Sequence, residues 1–134
     1  MWEAWGLVGA SLLFALAWFP ASVAKQQTYG TGWLASNRDQ QDLPPMPRWG
    51  ERAIRAHENL KENFPAWAAL VLLVIALDWQ NAATAWAAVL FPLARLGHMA
   101  SYIGGWFWPR FLFYCVGIAC TLILVVVCLL QLLS

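Results

Sequence analysis

The chain has 134 residues, of which 61% are hydrophobic, 15% aromatic and only 11% charged, with a formal net charge of +1. A soluble domain carries about 25% charged residues, and a domain this small has too little interior to hide so much apolar surface from water. The composition excludes a disordered chain, the near-neutral balance leaves no electrostatic footprint for DNA or RNA, and the expected solvent is a lipid bilayer.

A helix crossing about 30 Å of hydrocarbon needs roughly 20 mostly apolar residues. The first such segment runs from about Ala4 to Ala24, interrupted only by Ser11, Pro20 and Ser22. Ser22-Val23-Ala24 resembles a signal-peptide cleavage site, but Glu3 stands where such a leader carries positive charge. A retained first helix is expected. One long polar stretch follows, Lys25 to Glu62, punctuated by Gly30, Gly32, Pro44, Pro45 and Pro47.

The second apolar segment, Phe64 to Leu77, and the third, Ala82 to Ala94, rise only about 21 and 20 Å at 1.5 Å per residue. To span, the second helix must extend back through Glu62 and Asn59, and the third forward through Arg95 and His98. Asp78-Trp79-Gln80-Asn81 joins them as a short turn, which makes them antiparallel and sets Glu62 and Arg95 at similar depth. The fourth segment covers about Arg110 to Leu133. The fold is therefore expected to be all-α: a single transmembrane four-helix domain over 1–134, with helices near 4–24, 52–77, 82–103 and 110–133.

Orientation follows from the cations. Lys25, Arg38, Arg48, Arg52, Arg55 and Lys61 lie in or beside the first loop, and Arg95 and Arg110 flank the third connection. Both termini and the Asp78–Asn81 turn carry no Lys or Arg. The positive-inside rule puts both basic connections in the cytoplasm and both termini outside, in a bacterial inner membrane or the endoplasmic reticulum.

On a 3.6-residue helix Arg52, Arg55, Asn59 and Glu62 share one face, while His57 and Lys61 lie on another. Pro65 has no N–H for the Lys61 carbonyl, so a kink is expected there. Arg95, His98 and Tyr102 form one stripe on the third helix; after Pro109, Arg110, Tyr114 and Thr121 form one on the fourth. Snorkelling and an aromatic belt suffice for Lys25, Arg48, Trp49, Lys61, Trp106 and Trp108. Arg55, Asn59, Glu62 and Arg95 line up on matching faces, either as a binding site or as an ion-pair network that tolerates burial.

Several guanidiniums with one carboxylate and a carboxamide suit a ligand bearing carboxylates and an ammonium. An arginine beside a thiol also favours its thiolate. A small zwitterionic thiol peptide fits, although this chemistry alone does not single it out. His57 and His98 come from different helices with no cysteine near in sequence, so no metal site is expected. Cys115, Cys120 and Cys128 show no metal-ligand spacing and read as inert apolar groups in the fourth segment.

Arg55-Ala56-His57-Glu58-Asn59-Leu60-Lys61-Glu62-Asn63-Phe64-Pro65 resembles the Arg-Ala-x-x-Asn-x-x-Glu-x-x-Pro segment of the MAPEG family, the membrane-associated proteins in eicosanoid and glutathione metabolism. Arg95 through Tyr102 to Arg110 is similar to that family's third-to-fourth helix region. The resemblance implies a homotrimer that binds glutathione between subunits near the cytoplasmic face and acts on lipophilic small molecules. It assigns Arg55, His57, Asn59, Glu62, Arg95 and Tyr102 to glutathione binding, and Arg110 to stabilising the glutathione thiolate. The implied activity is that of a glutathione transferase or peroxidase; the alternative is a non-catalytic lipid-binding or scaffolding protein of the same fold. Glu58 departs from the arginine of several glutathione-binding members. Phe111 replaces the serine that follows the arginine in prostaglandin E synthases.

Overall fold

The computed structural model describes the whole chain, Met1–Ser134, as five helical segments without a strand. The first two, α1 (Trp2–Leu16) and α2 (Phe19–Leu34), are halves of one long helix. Pro20 offers no N–H to the Leu16 carbonyl, yet Ala17 and Trp18 keep right-handed helical dihedrals, so the chain bends and continues. Helix persists ten residues beyond the expected limit at Ala24, through polar residues that do not oppose it, with a break in geometry at Gly30 (φ 83°, ψ 162°). Residues 35–47 carry no regular structure.

Pro47 stands extended just before α3 (Arg48–Ala76), which begins four residues ahead of the expected start at Arg52. α3 continues as helix on both sides of Pro65, where the kink is expected. At about 1.5 Å per residue its 29 residues exceed the hydrocarbon thickness, so the first turns stand clear of the apolar layer. A tight turn at Asp78 (φ 55°) leads into α4 (Ala82–Gly104). Asn81 caps that helix, its Oδ1 accepting from the Ala83 and Thr84 amides at 2.8 and 3.1 Å. Thr84 closes the capping box by accepting from the Asn81 amide at 2.9 Å.

α4 ends on Gly105, whose left-handed φ of 80° lets its own amide reach Tyr102 O at 3.1 Å and the Trp106 amide reach Ser101 O at 2.9 Å. That is a Schellman closure, and it turns the chain directly into α5 (Phe107–Leu133). The bundle therefore contains four long helices, with α1 and α2 counted as the first. α4 and α5 are the most intimate pair, and α1 packs chiefly on α4.

The core is a dry column of Ala10, Trp67, Val71, Val74, Phe91, Cys120, Leu124 and Cys128. Trp67 and Phe91 stack in it with ring centroids 4.3 Å apart. Only 25 of 134 residues are buried, which is far too few to hold the chain together in water. Leu12, Leu16, Leu72, Leu93, Val126 and Leu130 instead face outward, as the lipid-facing residues of a membrane bundle do. Trp2–Leu34 and Phe107–Leu133 are each long and apolar enough to cross a membrane.

Candidate functional site

Polar side chains gather at the end of the bundle where α3 begins, α4 ends and α5 begins. α5 starts at Phe107 with Pro109 in its first turn, which brings Arg110 to the closing turn of α4. The Arg110 guanidinium lies over the Tyr102 ring at 4.6 Å and near the Phe107 ring at 5.4 Å. Arg52 approaches from α3 and anchors there by donating Nε–H to Ile103 O at 3.0 Å. A Cβ at position 105 would lie 2.8 Å from Arg52 Nη1, so glycine admits this arginine as well as making the turn. Arg52, Arg110, Tyr102, Gly105, Trp106 and Phe107 enclose a cleft of about 200 Å³.

Neither arginine of the cleft has a carboxylate partner. The ion pairs of the chain are Met1–Glu3, Glu51–Arg55 and Glu58–Lys61. Two guanidiniums in a cleft lined by aromatic rings, unmatched by any acid, form a receptive site for an anion.

The α3 face appears as its periodicity requires. Arg55 and Glu62 are exposed and Asn59 is half-buried between them. Arg55 makes only a 3.5 Å surface contact with Glu51, and Glu62 makes no ion pair. His57 is half-buried on another side of the helix, with Glu58, Lys61 and Lys25 as its charged neighbours. Arg52 is the one member of the α3 row that lines the Arg110 cleft; Arg55, Asn59, Glu62 and His57 do not.

Arg95 is not matched with Glu62, despite their similar depth along the helices. It is 2% exposed, in the interface of α3, α4 and α5. Its Nη1 donates to Asn59 Oδ1 at 3.2 Å and its Nη2 to Asn63 Oδ1 at 3.1 Å. The Phe91 and Tyr114 rings flank it at 5.0 and 5.6 Å. His98, also buried, contacts Tyr102 edge-on at 5.5 Å and Tyr114 at 6.0 Å. The Arg95–His98–Tyr102 stripe thus points inward and joins the buried Arg95 to the open cleft.

Asn63 and Arg52 are the residues of this region that the sequence reading left without a role in the site. Asn63 stands one turn beyond Asn59, a spacing that was available as a signal. A third polar centre at the opposite end was also missed: the Glu3 carboxylate, 2% exposed, accepts from Thr84 Oγ1 at 2.7 Å. There it completes the cap of α4 and lies beside the positive end of the helix dipole.

Four helices, an apolar outer surface and a polar site at one end define an integral, multi-pass membrane protein of the all-α bundle class. The sequence profile of the MAPEG family matches residues 3–130, and the chain belongs to that family. No curated protein and no solved structure matches it.

Proposed function

We propose that this protein is a glutathione-dependent transferase or peroxidase that acts on lipophilic electrophiles drawn from the bilayer. The observation that carries this function is Arg110, held over the Tyr102 ring at the mouth of a cleft with no acid to neutralise it. Family membership supports the thiol peptide as the ligand. Glutathione supplies a sulfur nucleophile when bound. Arg110 holds negative charge at that sulfur, and the thiolate is the reactive form. Arg55 and Glu62 take the charged ends of the tripeptide, guanidinium to carboxylate and carboxylate to ammonium, with Asn59 between them. Tyr102 lines the cleft, and His57 borders the α3 face.

Arg55, Asn59 and Glu62 do not line the Arg110 cleft of their own protomer, and with family membership this supports a complete site at the contact between copies, in a homotrimer. Glu58 does not oppose this assignment, because Lys61 Nζ sits 2.9 Å from its carboxylate. The basic end, with the 35–47 loop, is placed in the cytoplasm and the termini outside.

Thermal unfolding of the purified protein in detergent, with and without glutathione, tests the proposal. A ligand that binds only the folded state raises its stability, by about 2.7 kcal/mol at a hundredfold excess over Kd. A raised midpoint with glutathione, and turnover of a reactive aryl halide, are the expected results. Stabilisation without turnover of any electrophile would leave a binding protein. No stabilisation at all would favour the lipid-binding scaffold.

A further inference from the structure

We propose that Arg95 is a positioning residue: it locks the Asn59 carboxamide with Oδ1 inward and Nδ2 outward, so Asn59 can meet a ligand only as a hydrogen-bond donor. The ligand group facing it must then be an acceptor, a carboxylate or amide carbonyl, and never the ammonium. This rests on the glutathione function proposed above and adds the polarity with which the peptide lies along α3.

A guanidinium has N–H donors and no acceptor, so the Asn59 atom facing Arg95 must be its carbonyl oxygen. Asn63 is held the same way, and its Nδ2 spends one of its two hydrogens on the Asn59 main-chain oxygen at 2.7 Å. The Asn59 Nδ2 has no such use. It makes no hydrogen bond within the protomer, and it is absent from the three buried polar atoms without partners: Trp33 Nε1, Trp67 Nε1 and Arg95 Nε. It therefore stays accessible, on the face between Arg55 and Glu62.

Arg95 cannot easily turn away. A Cβ at Gly117 would lie 2.8 Å from its Cζ, Nε and Nη2, so α5 presses directly on the flat guanidinium. Phe91 and Tyr114 flank it. No acidic side chain pairs with it, so its charge is answered by two neutral amide oxygens and the two ring faces. Polarised by that charge, the Asn59 amide becomes a stronger donor toward an acceptor on the outer side.

Three aspartate and alanine variants test this by glutathione titration of the detergent-solubilised protein. Asn59→Asp keeps an oxygen on Arg95 but removes the outward donor. It should fold with a thermal midpoint at or above that of the parent and bind glutathione at least about tenfold more weakly, as befits losing a hydrogen bond to a charged group. Asn63→Asp places the same charge on the same guanidinium and leaves the Asn59 amide alone; its affinity should stay within about threefold of the parent. Asn59→Ala removes the donor without adding charge and should show a loss of the same order, which covers the case of a misfolded aspartate variant. Arg95→Met, which frees the Asn59 amide to rotate, should raise the glutathione KM while kcat at saturation stays near the parent value. An Asn59→Asp protein that binds like the parent overturns the proposal, as do equal losses in the two aspartate variants or an unchanged KM in Arg95→Met. Failure of the parent itself to bind glutathione overturns the proposed function, and this assignment with it.

Discussion

At the residue scale, two arginines of the same bundle have opposite surroundings. Arg95 is dry, sandwiched and committed to two carboxamides, whereas Arg110 stacks on Tyr102 and faces an open cleft. A committed guanidinium orients other groups; an uncommitted one is free to stabilise charge that arrives with a ligand. Arg110→Ala should therefore abolish the ultraviolet thiolate absorbance that appears when glutathione is added near neutral pH. Turnover should slow by about 100-fold or more, the usual cost of one preorganised electrostatic donor, while affinity stays close to the parent. Undiminished absorbance in Arg110→Ala would remove this arginine from the chemistry. Glu62→Ala should show the converse pattern, with affinity lowered and the rate at saturation retained. The periodicity of the helices made the Arg55–Asn59–Glu62 face and the Arg95–His98–Tyr102 stripe legible before any coordinates. Which residues meet across two helices was not legible, because counting from the Asp78–Asn81 turn gives depth but not rotation. Arg95 consequently reaches Asn59 and Asn63, while Glu62 at the matching depth points elsewhere.

At the scale of elements, prolines that leave helices unbroken are used in packing. Pro92 has no N–H for the Ala88 carbonyl, and α1 comes against that carbonyl at Gly6, where a Cβ would collide with the oxygen. Close approach of small residues is the main source of helix association where lipid is as apolar as the side chains. Gly6→Leu should lower the thermal midpoint by several degrees, since overfilling a tight contact costs about 1–3 kcal/mol. Val8→Leu, on the exposed side of α1, should leave it unchanged. Equal midpoints for both variants would show that the α1–α4 contact contributes little. The apolar runs disclosed the number and order of the helices because spanning length is a strong constraint. Their ends were less legible: α2 continues to Leu34 through residues such as Lys25 and Gln26, whose polarity does not oppose helix. Glu3, read only as an argument against a signal peptide, turns out to be the buried acceptor of Thr84.

At the scale of the whole molecule, the protomer leaves two kinds of surface unsatisfied. Apolar side chains such as Leu72, Leu93 and Val126 can be met by lipid. Glu62, on the length of α3 that enters the membrane, cannot, because ionisable groups at that depth are retained only where they face protein, water or a ligand. The Arg110 cleft is likewise open, and Arg55, Asn59 and Glu62 of its own protomer do not line it. A neighbouring copy is the simplest group to complete both. These surfaces call for an oligomer, and the homotrimer proposed above fixes the number of copies at three. Mass measurement in mild detergent should give a trimer, and glutathione should be bound by that species. Mixing Arg110→Ala and Glu62→Ala protomers during refolding or co-expression should raise turnover at sub-saturating glutathione above that of either variant alone, because some contacts then join an intact cleft to an intact α3 face. Absence of such rescue, or a stable monomer that binds glutathione as well as the assembly does, would place the whole site inside one chain.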